Sequence, residues 1–160
     1  ITGNYVTNED VIRGEFLLDE GDPLTEINLD KSIAKIKSRR IFKNVNYEVS
    51  EGSKKNLKII DISVEEQPTG EIGAGAGIGT SGGTLAFNVK ENNWLGEGKS
   101  LEFEVQLDEE SLAGDVIYSD PNYDFLGNSF YYNLSSSKND KPNQGYENSV
   151  ISLSAGTSFE

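Results

Sequence analysis

Glu66 to Gly79 reads EQPTGEIGAGAGIG, and this stretch restricts the fold more than any other. In an extended strand, Ile72, Ala74, Ala76 and Ile78 fall on one face, and Gly73, Gly75, Gly77 and Gly79 on the other. A glycine in a strand costs backbone entropy and offers nothing to pack. Four on one face predict a strand that is thin, mobile or closely approached. The stretch is also a boundary. Before it, helix and strand periods mix; after it, the period is two throughout.

Upstream, Thr7 reads as a helix N-cap, with Glu9 and Asp10 where the helix dipole favours acids. Val11, Ile12, Glu15 and Phe16 fit a short amphipathic helix, which Glu20, Gly21, Asp22 and Pro23 break. A second helix is expected over Asn28–Ser38, with Leu29, Ile33 and Ile36 as one apolar stripe. Lys31, Lys35 and Lys37 lie off that stripe and read as a solvated face. Val45, Tyr47 and Val49 then alternate with polar residues. After a turn over Glu51–Asn56, Leu57–Val64 reads as a mostly apolar strand. Counting the end of a strand at Ile1, the order is β-α-α-β-β, and the abrupt start reads as that of an excised piece.

Downstream, Leu85, Phe87 and Val89 alternate with polar or small residues. So do Leu101, Phe103, Val105 and Leu107; Phe130, Tyr132 and Leu134; and Ile151, Leu153 and Ala155. Val116 and Tyr118 mark a weaker strand. The segment ENNWLGEGKS, Glu91–Ser100, is echoed by DPNYDFLGNS, Asp120–Ser129. Leu95 and Leu126 stand about 31 residues apart, the length of one hairpin of ten-residue strands with its loops. The opposite connections, such as Ser135 to Glu147, read as polar loops. Alternating ten-residue strands with aromatic turns at one end are the pattern of an outer-membrane barrel. Trp94, Leu95, Tyr123 and Phe125 would form part of its interfacial girdle. A soluble antiparallel sandwich shares the alternation. About six strands cannot close a bacterial barrel, so a barrel reading implies more strands elsewhere.

The net charge of -13 argues against nucleic acid or an anionic membrane surface as the main partner. With no Cys and no His, the chain lacks the usual thiolate nucleophile, general base and transition-metal ligands. No cofactor or metal is expected, and catalysis is disfavoured. Gly77, Gly79 and Gly82 satisfy G-x-G-x-x-G, but an alternating strand follows rather than a helix. Gly98, Lys99 and Ser100 end like a phosphate loop whose leading glycine is replaced by Asn93. Asp120, Asn122 and Asp124 open like a calcium loop, but Phe125 and Tyr131 stand where its turn glycine and closing acid belong. The glycosylation sequon Asn133–Ser135 falls within an expected strand. Glu102 and Glu104 share a strand face; a carboxylate pair for glycoside hydrolysis is less economical there than a water-facing barrel interior.

The strings GNYVTNEDVIRGEFLLDEGD, LDKSIAKIKSRRIFKNVNYEV, IIDISVEEQPTGEIGAGAGIGT and ENNWLGEG, in that order, resemble the outer-membrane β-barrel assembly factors. These belong to the bacterial surface antigen superfamily and carry periplasmic POTRA domains. The resemblance covers essentially the whole chain. It implies an α+β POTRA domain (β-α-α-β-β) over 1–68, last of its array and with its first strand truncated. An antiparallel up-and-down transmembrane β-barrel portion would then occupy 69–160. Arg39, Arg40, Ile41 and Phe42 depart from the family's Leu-Gly-aromatic-Phe corner, leaving the helix without its terminating glycine.

The resemblance further implies a function without covalent chemistry: folding and inserting other barrels into the outer membrane. Nascent outer-membrane proteins would pair with the first barrel strand, Glu71, Ile72, Gly73, Ala74, Gly75, Ala76, Gly77, Ile78 and Gly79, at a lateral gate. Small residues that merely relieve crowding are the competing account of that strand. Arg13 and Glu20 match positions at which a lipoprotein subunit of the machine would be met. Outer-membrane lipid is the remaining implied partner, with the barrel part in the membrane and the POTRA part in the periplasm. A transporter pore of the two-partner-secretion type, or a soluble two-domain binding protein, are the alternatives.

Overall fold

The computed structural model describes residues 1–54, 56–79, 82–124 and 127–159, which divide into two units. The first comprises Ile1–Thr69 together with Leu95–Gly98, the second Gly70–Trp94 and Lys99–Glu160.

In the first unit, helix α1 (Glu9–Arg13) and helix α2 (Glu26–Ser38) precede strands β1 (Phe42–Glu51) and β2 (Lys58–Glu66), which pair antiparallel. Thr2 bridges to Ser63 in parallel, with Thr2 N–H donating to Ile62 and Val64 N–H to Thr2. The expected stripe of α2 is the heart of the core. Leu29, Ile33 and Ile36 are buried with Ile12, Ile41, Phe42, Val45, Ile62 and Val64. Thr25 caps α2 by accepting from the Asn28 N–H at 3.3 Å, so the helix begins two residues earlier than the apolar period alone places it.

Thr7 is not the cap of α1. Asn8 holds that position without a side-chain cap bond, and Thr7 is buried. Thr7 is instead engaged by a distant acceptor. The Glu66 carboxylate receives the N–H groups of Tyr5 and Val6 at 3.1 Å and of Thr7 at 2.7 Å. Burial of Glu66 opposes its ionisation, yet the Thr7, Val6 and Tyr5 donors together hold its carboxyl below the usual glutamate range. The missing glycine after α2 also has an outcome. Arg40 takes φ 57° there, the left-handed conformation that a helix-ending glycine ordinarily supplies. Its carbonyl accepts from Gln67 Nε2 at 2.7 Å, and the Ile41 carbonyl accepts from the Gln67 N–H.

The second unit is an open antiparallel meander. Among the described residues its strands are β3 (Gly70–Gly79), β4 (Gly82–Trp94), β5 (Lys99–Asp108), β6 (Ser111–Asp120), β7 (Ser129–Lys141) and β8 (Tyr146–Ser158), hydrogen-bonded in chain order. The segment expected as a polar loop, Ser135 to Glu147, is mostly strand. β7 runs to Lys141 and a turn over Pro142–Gln144 returns the chain into β8. Polar cross-strand pairs sustain the ladder: Lys138 with Glu147 at 2.7 Å and Asn139 Nδ2 donating to Asn148 at 3.1 Å. Gly77, Gly79 and Gly82 lie on either side of a hairpin, not at the start of a helix.

Candidate functional site: the edge strand and its two faces

The register of the meander sorts side chains into two unlike surfaces. Ile72, Val89, Phe103, Val116, Leu134 and Leu153 are successive cross-strand partners from β3 to β8. They form an apolar row across all six strands, with Phe87, Val105 and Ile151 in the row beside it. On the opposite face the matching row is Gly73, Asn88, Glu104, Asp115, Ser135 and Ser152. A one-residue slip in any strand would exchange the faces, so the side-chain pattern and the pairing specify each other. Every member of the first apolar row is exposed, from 38% at Val89 and Val116 to 77% at Ile72. Glu102 and Glu104 lie on the polar face. Glu102 meets Lys90 at 3.5 Å, and Glu104 pairs in register with Asn88 and Asp115.

β3 is at one edge of this sheet, so one side of its backbone ladder has no strand partner among the described residues. Glu71, at its start, accepts from Asn92 Nδ2 at 2.8 Å. The four glycines are not equivalent. A Cβ at Gly73 would lie 2.1 Å from Asn88 Oδ1, the side chain directly opposite in β4. A Cβ at Gly75, Gly77 or Gly79 would meet nothing within 4 Å. Crowding therefore accounts for the first glycine and not for the other three. Ala74 and Ala76 share the apolar face with Ile72 and Ile78, giving that face of β3 less bulk than β4, which pairs Phe87 and Leu85 to them.

The other expected site residues fall elsewhere. Arg13 donates to Glu9 at 2.7 Å and to Glu20 at 3.0 Å, so Arg13 and Glu20 form an exposed ion pair with each other. Trp94 ends β4, and Tyr123 lies in the β6–β7 turn at the same end of the meander; both are exposed. Leu95 belongs to the turn that groups with the first unit. Phe125 lies outside the described residues. Two aromatic residues of β7 continue the aromatic cluster from Tyr123. Phe130 stands 6.0 Å from Tyr123 and 4.5 Å, edge to face, from Tyr132. Their i, i+2 spacing at the start of a strand is the signal that marks them. Asp120 and Asp124 act as turn caps, accepting from Asn122 N–H and from Asn128 N–H and Nδ2.

The chain is similar to several known proteins. Residues 1–67 match the POTRA family, the surface antigen variable number repeat. The outer membrane protein assembly factor BamA of Neisseria meningitidis is 26% identical over 136 residues, 84% of this chain and 17% of that protein. A putative outer membrane protein assembly factor of Treponema pallidum is 30% identical over 71% of this chain and 14% of its own length. BamA of Neorickettsia risticii is 34% identical over 66% of this chain and 14% of its own length. The chain thus spans under a fifth of the curated relatives it matches. In three dimensions, the crystal structure of BamA from Haemophilus ducreyi lacking POTRA domains 1-3 matches 96% of this chain and 30% of its own, with a TM-score of 0.83 at 22% identity.

Proposed function

From a chain that is BamA-like over most of its length, with a POTRA domain across residues 1–67, we propose a role in outer-membrane protein assembly. The observation that carries the proposal is the combination of an exposed apolar band with an edge strand that is slim on both faces and has one side without a strand partner among the described residues. The six strands are the start of a transmembrane barrel, the apolar rows face outer-membrane lipid, and the glycine–polar rows face the lumen. The first unit lies in the periplasm, with Trp94, Leu95, Tyr123, Phe130 and Tyr132 near the interface.

β3 is the lateral gate. A nascent outer-membrane protein adds a strand to its free edge through main-chain hydrogen bonds, which ask little of the client's sequence. Glycine at 75, 77 and 79 leaves β3 without lumenal packing that would resist opening, while Gly73 lies close under the Asn88 side chain and Glu71 is hydrogen-bonded to Asn92. The work is exchange of hydrogen-bonded partners and needs no covalent step. The exposed Arg13–Glu20 pair on the first unit is the contact for a lipoprotein subunit.

The test replaces Gly75 or Gly77 by valine in the full-length protein. Folded levels of the protein itself should hold, because a Cβ at either position meets nothing within 4 Å, while the levels of its client barrels fall. In parallel, cysteines placed singly along 71–79 should crosslink to a stalled client strand in an alternating pattern. Client levels equal to wild type, with no crosslink at any β3 position, would overturn the gate.

A further inference from the structure

The four-residue turn Leu95–Gly98 joins β4 to β5, yet it groups with the first unit. Three observations explain why. The Gly96 carbonyl accepts the Asn8 N–H at 2.8 Å, at the start of α1. The Gly98 carbonyl accepts from Arg39 Nη2, at the C-terminus of α2. Arg39 Nε also reaches Glu15 Oε1 at 3.4 Å, and both side chains are largely buried, 14% and 7% exposed. The backbone conformation fits tightly. Gly96 and Gly98 have φ of 76° and 67°. A Cβ at Gly96 would lie 2.1 Å from the Val6 carbonyl oxygen, and one at Gly98 2.7 Å from Val11 Cγ1. Both glycines are therefore required twice, by conformation and by space.

We infer that Arg39 is a positioning residue, a latch that fastens the β4–β5 turn into the first unit. Its planar fork serves both partners at once: Nε faces the Glu15 carboxylate and Nη2 the Gly98 carbonyl. Glu15 neutralises the guanidinium and fixes its rotamer, so the donor to Gly98 is already aimed. The consequence follows from chain connectivity. β4 is the strand to which β3 is paired, and it ends at Trp94, directly before the latched turn. Fixing the turn therefore bears, along the chain, on the end of the strand that pairs with the edge. This consequence rests on the assembly reading; the latch itself does not.

The Asn8 amide reports the latch, because its acceptor is in the turn. Hydrogen exchange is measured on the full-length protein in lipid nanodiscs. The double variant Glu15→Gln/Arg39→Met removes both charges without stranding either one. It should speed exchange at Asn8 about tenfold while the amides of Leu29, Ile33 and Ile36 keep their wild-type rates. Arg39→Lys keeps a cation beside Glu15 but lacks the fork, and gives the same readout if the double variant does not fold. Unchanged exchange at Asn8 overturns the latch. A uniform rise across α2 overturns it as well, since Arg39 would then be a general stabiliser of the unit. Faster exchange at Asn8 with client barrels assembled at wild-type levels leaves the latch standing and removes its consequence for the edge.

Discussion

The two units spend their apolar residues in opposite ways. In the first, Ile12, Leu29, Ile33, Ile36, Ile41, Phe42, Val45, Ile62 and Val64 close into a core. In the second, none of the described apolar side chains is buried, and a continuous apolar surface crosses six strands. One chain therefore carries two opposite patterns of apolar burial. The first unit's stability comes from removing side chains from water within the unit. Among its described residues the second buries no apolar side chain, and its ladder arranges an apolar surface that the proposed function assigns to lipid. Exposure of Ile72, Leu153 and Ile151 at three-quarters or more would be a liability in buffer and is an asset in lipid.

The comparison is broken most directly in the core. Ile36 is fully buried, so Ile36→Ala should destabilise the first unit by about 3 kcal/mol, read as a lower urea midpoint at constant slope. Of similar size, but conditional on solvent, is Val116→Arg, in the middle of the apolar row. In a bilayer it should cost about 3 kcal/mol; at an ordinary wet surface it should stay within about 0.5 kcal/mol. Refolding titrations into lipid vesicles distinguish these values. A small effect there would return the second unit to the soluble class.

Next in size is Glu66. Charge-assisted bonds from three backbone N–H groups, discounted for its partial exposure, put Glu66→Ala at about 2 kcal/mol. Its folded carboxyl titrates below the ordinary 4.5. The stabilisation is therefore complete above that value and is lost as pH falls through the lower folded value. Acid titration of the first unit's melting temperature should show this loss in the wild type, and Glu66→Gln should flatten it. An identical acid profile in the two proteins would remove Glu66 from the account.

How much of this could be read from the residues depends on how local the cause is. The α2 stripe and the alternation of Leu85, Phe87 and Val89 are local, and the structure follows them. The glycine face of β3 was equally visible, but its division between Gly73 and the other three needs the register that sets Asn88 opposite. Thr7 looked like a cap because its neighbours form a helix, whereas the acceptor that claims its N–H is 59 residues away. Ser135–Glu147 looked like a loop because it is polar. In a sheet whose partners supply every second contact, polarity alone does not end a strand. The grouping of Leu95–Gly98 with the first unit had only a faint trace, two glycines flanking Glu97, since its partners Asn8 and Arg39 are remote in sequence.

The smallest expected effect lies at Arg40 and sharpens the contrast from the other side. At φ 57° its Cβ crowds the backbone, a cost of about 1–2 kcal/mol that glycine does not incur. Glycine also widens the unfolded ensemble, which returns roughly 0.4–1 kcal/mol of that gain. Arg40→Gly should therefore stabilise the first unit by about 0.5–1 kcal/mol, because the side chain is exposed and the carbonyl that Gln67 uses is unchanged. The second unit gains nothing from this change, since the strain it relieves lies within the first. Paired melts of the two units in the same protein provide the check: the first transition should rise by a few degrees and the second should not move. A fall in the first transition would mean that the arginine side chain contributes more at the end of α2 than its backbone costs.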